Sequence, residues 1–336
     1  MESFKAAVLV KLNSPLEIFD LRFPALKENQ ILIRNIYSGI CRSQLMEIQG
    51  KRGVDTWIPH LLGHEGYGIV EEIGKSVKKV KKDDKVILSW IKGYGTQSTN
   101  PNYLSLEGKK VNSGKISTFS EYTVTSECFL AKIPIGFDEK VLPFFGCAFL
   151  TGAGMAIRNI TNQHRKIAIL GFGGVGSSAA LALASSVGLD IHIIEESEEK
   201  RVLAKNFGFE KIFSKNEAEN LVDYFDLCIE SAGSIESIEL GFKIINTKGK
   251  MVFASHPDSE KKITINPYDL IKGKQIQGSW GGGSHLDEDI SNVAKLFLES
   301  GKNLQPLVGQ LFNLQDINNA FEYLANGLSG RPVLYM

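Results

Sequence analysis

Three short stretches carry side chains able to do metal chemistry: Ser38-Gly-Ile-Cys41-Arg42-Ser43, Leu62-Gly63-His64-Glu65-Gly66-Tyr-Gly68 and Gly146-Cys147-Ala-Phe-Leu-Thr151-Gly152. Together they supply two soft thiolates and an imidazole, a donor set suited to zinc. Three protein ligands leave one coordination position open, as a catalytic rather than a structural zinc requires. The remaining cysteines, Cys128 and Cys228, fit no ligand pattern and read as packing. Four cysteines in 336 residues make no disulfide framework, so the thiols are expected to be reduced and free for a metal.

A second chemistry is written into Lys166–Glu196, KIAILGFGGVGSSAALALASSVGLDIHIIEE. An apolar, β-prone run, Ile167–Leu170, reads as a buried parallel strand. Gly171-Phe-Gly173-Gly174-Val175-Gly176 follows at once and fits G-x-G-x-x-G. Gly171 permits the tight strand-to-helix turn, Gly173 lets backbone approach a pyrophosphate, and Gly176 lets the helix pack close to the strand. The diphosphate then sits at the helix N-terminus, where free N–H groups and the helix dipole favour negative charge. A second β-prone run, Ile191–Ile194, ends on Glu195, whose carboxylate suits ribose hydroxyls and repels a 2′-phosphate. The expected coenzyme is therefore NAD rather than NADP.

Different kinds of element must position these two sets. Residues 1–36 read as short strands separated by turns, with no helical period, so the chain opens as a β-rich unit. From the glycine loop onward strands and helices alternate: Asp226–Glu230, Lys250–Ala254 and Gln275–Gly278 read as further strands of a doubly wound sheet of about six parallel strands. Trp280-Gly-Gly-Gly-Ser marks a return to the first unit, followed by helices through Leu298 and over Leu314–Asn326. The expected division is 1–148 with 280–336, and 149–279. Residues 91–115 read as a long loop rich in Gly, Asn, Ser and Lys. Lys75–Lys85 reads as a solvated basic turn.

Lys+Arg and Asp+Glu each number 38, so no charge excess points to nucleic acid or an anionic membrane. No apolar run has membrane-spanning length, and MESFKAAVLVKLNS lacks a signal-peptide pattern, so a cytoplasmic location is expected.

The motifs GICRS, GHEGYGIV, GCAFLTG and GFGGVG, in that order, resemble those of zinc-dependent medium-chain dehydrogenases/reductases of the alcohol dehydrogenase type. The similarity runs from near residue 5 to the C-terminus. It implies a GroES-like β-rich catalytic domain joined to a Rossmann coenzyme domain. It also implies zinc ligands Cys41, His64 and Cys147, with Glu65 as an acid beside the metal. Many members carry a four-cysteine structural-zinc lobe where this chain has its cysteine-free residues 91–115, so one zinc is expected rather than two.

By the same resemblance, Ser43 takes the alcohol proton in a reversible hydride transfer between an alcohol and NAD. Arg42 and Arg331 lie near the pyrophosphate, Lys200 reaches the ribose, and Thr151 contributes to the coenzyme site. Backbone around Ser255, His256 and Pro257 holds the nicotinamide carboxamide. Met46 stands where many members carry a proton-passing histidine, so the proton must leave another way. Trp90 and Trp280 either wall a substrate pocket or pack, and such walls suit an aromatic alcohol or a sugar or polyol equally. The resemblance implies a homodimer or homotetramer. The alternatives are a metal-free quinone or enone reductase of the same superfamily, or a non-catalytic NAD-binding paralogue.

Overall fold

The structure is a computed structural model and describes residues 2–336. The chain divides into two compact units. The first comprises Met1–Cys147, His285–Ser291 and Leu307–Met336, and the second Ala148–Ser284 and Asn292–Pro306. The helix Leu286–Glu299 is shared, its first residues counted with one unit and the rest with the other.

The first unit is β-rich, as its alternating short strands predict. One sheet has the order Glu17–Arg22, Ser3–Leu9, His60–Leu61, Lys110–Asn112, Asn102–Leu104. A seven-stranded sheet runs Leu130–Lys132, Lys85–Ser89, Glu65–Ile73, Ile31–Gly39, Arg331–Tyr335, Val308–Asn313, with Tyr122–Thr125 pairing alongside Ile31–Gly39. The C-terminal strand is thus laid against the middle of the N-terminal sheet, with Leu334 opposite Ser38 and Val333 opposite Gly39. That pairing brings residues far apart in sequence to the same place.

Residues 91–115 are not the unstructured loop expected from composition. Asn102–Leu104 and Lys110–Asn112 form a hairpin, and Asn112 pairs with His60. Tyr103 and Val111 enter a core with Phe4, Val8 and Leu21. Two apolar residues anchor this hairpin, and burying each is worth roughly 1.5–3 kcal/mol. Trp90 packs partly against a neighbouring core cluster beside Val77 and Ile73.

The second unit holds six parallel strands. Numbered in chain order from Lys166–Leu170 to Gln275–Gly278, their spatial order is 3-2-1-4-5-6. This is the Rossmann order, with its topological switch between strands 1 and 4. After Lys166, strand 1 is apolar because it is covered on both faces: Ile167, Ala168 and Ile169 are fully buried. Among the described residues, no helix is long and apolar enough to cross a membrane.

Candidate active site

Cys41, His64 and Cys147 arrive from three elements of the first unit and bring one ligand atom each within 4.8 Å of one another. Cys41 is the N-cap residue of the helix Arg42–Ile48, in extended conformation, and its side chain makes no cap bond. His64 follows Gly63, whose φ of +98° sets the turn into the strand Glu65–Ile73. Cys147 closes the short 3-10 turn Leu142–Gly146. Gly146 must be glycine, since an added Cβ would overlap the Leu88 carbonyl oxygen and crowd Glu65. Ser89 Oγ donates to the Gly146 carbonyl at 2.6 Å and pins that turn to the sheet.

The electrostatics of this cluster favour a divalent cation. His64 Nε2 is buried without a hydrogen-bond partner, a position that an imidazole lone pair tolerates when a cation faces it. The hydrogen bond from Cys147 is the main cause that holds the Cys41 thiol well below its usual range. Burial opposes this, while Arg331 and His64 assist. Cys147 is correspondingly pushed up, first by that same bond and then by burial. The two sulfurs thus lie at close quarters, one favouring its ionised and one its neutral form, with one proton for a metal to displace. A doubly charged ion would replace it, balancing two thiolates with a neutral imidazole as third ligand. The donor set therefore fits zinc.

Glu65 and Arg331 close the inventory. Glu65 is fully buried, and its Oε1 lies 2.7 Å from Arg331 Nη2. Arg331 Nε donates to the Ile40 carbonyl at 2.9 Å, and the guanidinium lies 5.6 Å from the Phe144 ring centroid. Burial works against the Arg331 charge, but Glu65, Cys41 and Cys147 together raise its pKa. Arg331, expected by resemblance at the pyrophosphate, is placed here against Glu65 and the thiols. Gly39, which sequence reading did not single out, leaves the room: a Cβ there would overlap Glu65 Oε1. Ser43 and Met46 lie on the helix that starts after Cys41, and Arg42 is exposed.

In the second unit the glycine loop has the geometry its spacing predicts. Gly171 has φ +86°, Gly173 caps the helix Gly174–Leu183, and Val175 lies in that helix's first turn. An added Cβ on Gly176 would overlap the Gly171 carbonyl oxygen, whereas one on Gly173 would meet nothing within 4 Å. Gly173→Ala is therefore expected to leave the thermal midpoint unchanged while weakening NADH binding about tenfold, because the methyl occupies the diphosphate's approach. Gly176→Ala is expected to cost about 1–3 kcal/mol of stability by overpacking. Thermal melts and fluorescence titration with NADH read the two effects separately; equal losses of stability in both variants would contradict this account.

Glu195 stands at the end of strand 2, its carboxylate accepting N–H bonds from Phe172 at 2.6 Å and Ser197 at 2.9 Å. It is thereby fixed at the mouth of the loop. Lys200 is half-buried in the helix Glu198–Asn206. Its neighbour Arg201, which sequence reading missed, donates to the Glu195 and Glu196 carbonyls at 2.9 and 2.7 Å.

Thr151 is buried with its Oγ1 unpartnered. Gly152 beside it lets its helix approach the Val175 carbonyl. Ser255 donates to the buried Glu230, whose carboxyl is pushed up by burial against hydrogen bonds from Ser237, Ser255 and Gly233. His256 is exposed, with Nδ1 bonded to the Pro257 carbonyl, and Trp280 is 76% exposed.

A β-rich unit with a partly buried Cys₂His cluster and a Rossmann unit with an acid-terminated second strand define the class. Comparison with known families agrees. The alcohol dehydrogenase GroES-like domain matches residues 27–135 and the zinc-binding dehydrogenase domain matches 174–299, together more than two thirds of the chain. The chain belongs to the medium-chain dehydrogenase/reductase family of alcohol dehydrogenase type.

Among curated relatives, alcohol dehydrogenase 6 of Peromyscus maniculatus is 28% identical, over 98% of this chain and 97% of that protein. Two solved structures share the fold. An alcohol dehydrogenase zinc-binding domain protein from Burkholderia ambifaria gives a TM-score of 0.88 at 22% identity, with 99% of each chain covered. Benzyl alcohol dehydrogenase from Acinetobacter calcoaceticus gives 0.86 at 24%, with both chains covered completely.

Proposed function

We propose that this chain is a zinc-dependent alcohol dehydrogenase that transfers hydride between a primary or secondary alcohol and NAD. The observation that carries the reading is the partly buried Cys41–His64–Cys147 cluster with its unpartnered His64 Nε2. These three residues would hold Zn²⁺. Zinc, when bound, supplies Lewis-acid polarisation of the alcohol or carbonyl oxygen.

The chain's own side chains do the rest. Ser43, two residues after Cys41, accepts the alcohol proton through its hydroxyl. Met46 has no group to pass it on, so the proton leaves through the coenzyme ribose hydroxyls and water. Backbone N–H groups from Gly173 to Gly176 receive the diphosphate. Glu195, with Lys200 beside it, takes the adenosine ribose hydroxyls and disfavours a 2′-phosphate. Thr151 and Ser255 orient the nicotinamide end. Glu65 and Arg331 hold the charge balance around the thiolates, and Arg42 is the exposed cation for the coenzyme phosphates. Trp90 and Trp280 are assigned to the substrate pocket of an aromatic, sugar or polyol alcohol. The active form is taken to be a cytoplasmic homodimer or homotetramer.

The thiolate ligands argue against a metal-free reductase, which has no use for them. The test is the initial rate of NADH formation with aromatic, allylic and polyol alcohols, with and without 1,10-phenanthroline, and with NADP in parallel. Chelator-sensitive oxidation with at least about tenfold higher kcat/KM for NAD than NADP is expected. Chelator-insensitive reduction of quinones or enones, with no alcohol oxidised, would contradict the proposal. Coenzyme binding without turnover of either kind would favour a non-catalytic paralogue.

A further inference from the structure

A second cluster of metal-binding groups lies in the first unit, apart from the thiolates. Glu47, Asp55 and His60 bring one ligand atom each within 4.8 Å of one another. His60, in the short strand His60–Leu61, has a side chain only 8% exposed; that of Asp55 is 15% exposed. Glu47 lies near the C-terminal end of the helix Arg42–Ile48 and opens toward solvent, its side chain 28% exposed.

The hydrogen-bond pattern fixes what His60 offers. Its Nδ1 lies 3.0 Å from the Leu61 carbonyl oxygen. A carbonyl can only accept, so Nδ1 carries the hydrogen, and in the neutral ring Nε2 presents its lone pair. This is the anchoring by which ligand histidines are commonly oriented. Nε2 lies 2.8 Å from Asp55 Oδ2, where it donates when protonated and presents its lone pair when a metal ion takes the proton's place. Asp55 is itself held in place, since the Trp57 N–H donates to its Oδ1 at 2.8 Å.

The His60–Asp55 contact is closed either by a proton on Nε2 or by a metal ion taking the proton's place. A proton on His60 would balance Asp55, but Glu47 adds a second carboxylate to the same cluster. Arg52 approaches Glu47 Oε2 only at 3.5 Å. Two carboxylates and a neutral imidazole are balanced by one divalent ion. Ligands at roughly 2.0–2.2 Å from a metal lie about 3 to 4.3 Å apart. The three ligand atoms already lie within 4.8 Å of one another, so that range is reached by a slight opening of the 2.8 Å His60–Asp55 contact and a shift of the most exposed member, Glu47.

We propose that Glu47, Asp55 and His60 form a second divalent-cation site, distinct from the thiolate cluster and selective for first-row transition ions over Ca²⁺ through its imidazole. Water completes its coordination. Glu47 lies six residues after Cys41 and His60 four before His64. The ion therefore ties together the two segments that carry those residues, and its binding raises the thermal midpoint.

The test uses the full chain, loaded with zinc at the thiolates and dialysed, then titrated with Mn²⁺ while the paramagnetic-resonance signal of free aqueous Mn²⁺ is followed. One equivalent of Mn²⁺ should bind to wild type. Glu47→Gln, near an exposed helix end, and Asp55→Asn should each weaken it at least about tenfold with zinc content unchanged. Cys147→Ala should bind Mn²⁺ like wild type, which separates this site from the thiolate one. A free-Mn²⁺ signal rising in proportion from the first addition up to about 1 mM would overturn the proposal. So would wild-type affinity in Glu47→Gln, which would leave His60 and Asp55 as a simple ion pair.

Discussion

Cys147→Ala is expected to abolish tight binding of the zinc proposed for the Cys41–His64–Cys147 site and to lower kcat/KM for alcohol oxidation by about three orders of magnitude or more. A metal acting as Lewis acid contributes several kcal/mol to such a transition state, and each 1.36 kcal/mol is a factor of ten. Removal of one of two thiolates leaves a single anionic ligand and the His64 imidazole, too weak a set to retain the ion through dialysis. The variant also opens a small void, because Cys147 is only 7% exposed. Folding must therefore be read separately, by circular dichroism and NADH binding.

The internal controls are Cys128→Ala and Cys228→Ala. Both thiols are fully buried in hydrophobic clusters and neither belongs to the ligand set. Each should lose some stability but keep metal and activity. Comparable activity loss in all three variants would show that the cysteines act through packing alone.

Glu65→Leu is expected to destabilise the first unit by about 3–5 kcal/mol, read as a fall in the denaturant midpoint of its unfolding transition. Glu65 is fully buried, and its partner Arg331 has a side chain 9% exposed. Loss of the carboxylate strands a guanidinium that burial already disfavours, beside the two thiols. The double variant Glu65→Leu/Arg331→Met removes both charges and should recover much of the loss, since an apolar pair can replace a buried ion pair. It should also weaken zinc retention, because the positive charge beside Cys41 and Cys147 is gone. A single variant within about 1 kcal/mol of wild type would contradict the view that this pair is desolvated and closely coupled.

The coenzyme fold is legible in the sequence because its signals are local. A buried β-prone strand, three spaced glycines and an acid at the end of the next strand all lie within Lys166–Glu196, and the structure places them accordingly. The three ligand motifs are likewise short, and their residues converge. What escaped the sequence depends on contacts between distant segments. Arg331 meets Glu65 because the last strand pairs with Ile31–Gly39, and nothing near residue 331 announces that pairing.

Gly39 matters only because Glu65 fills the space beside it. The hairpin over Asn102–Asn112 has polar composition and is held by pairing with His60 and by two buried side chains, so tertiary contact overrides local propensity. The helix Leu286–Glu299 was readable as amphipathic, but its period does not say that its residues divide between the two units.

The most direct measurement of the central claim is zinc content together with zinc K-edge X-ray absorption on wild-type protein dialysed against metal-free buffer. The account predicts close to one zinc per chain with two sulfur neighbours at about 2.3 Å and nitrogen or oxygen in the remaining positions. Folded protein with no zinc, or zinc surrounded by four sulfurs or by nitrogen and oxygen alone, would contradict it.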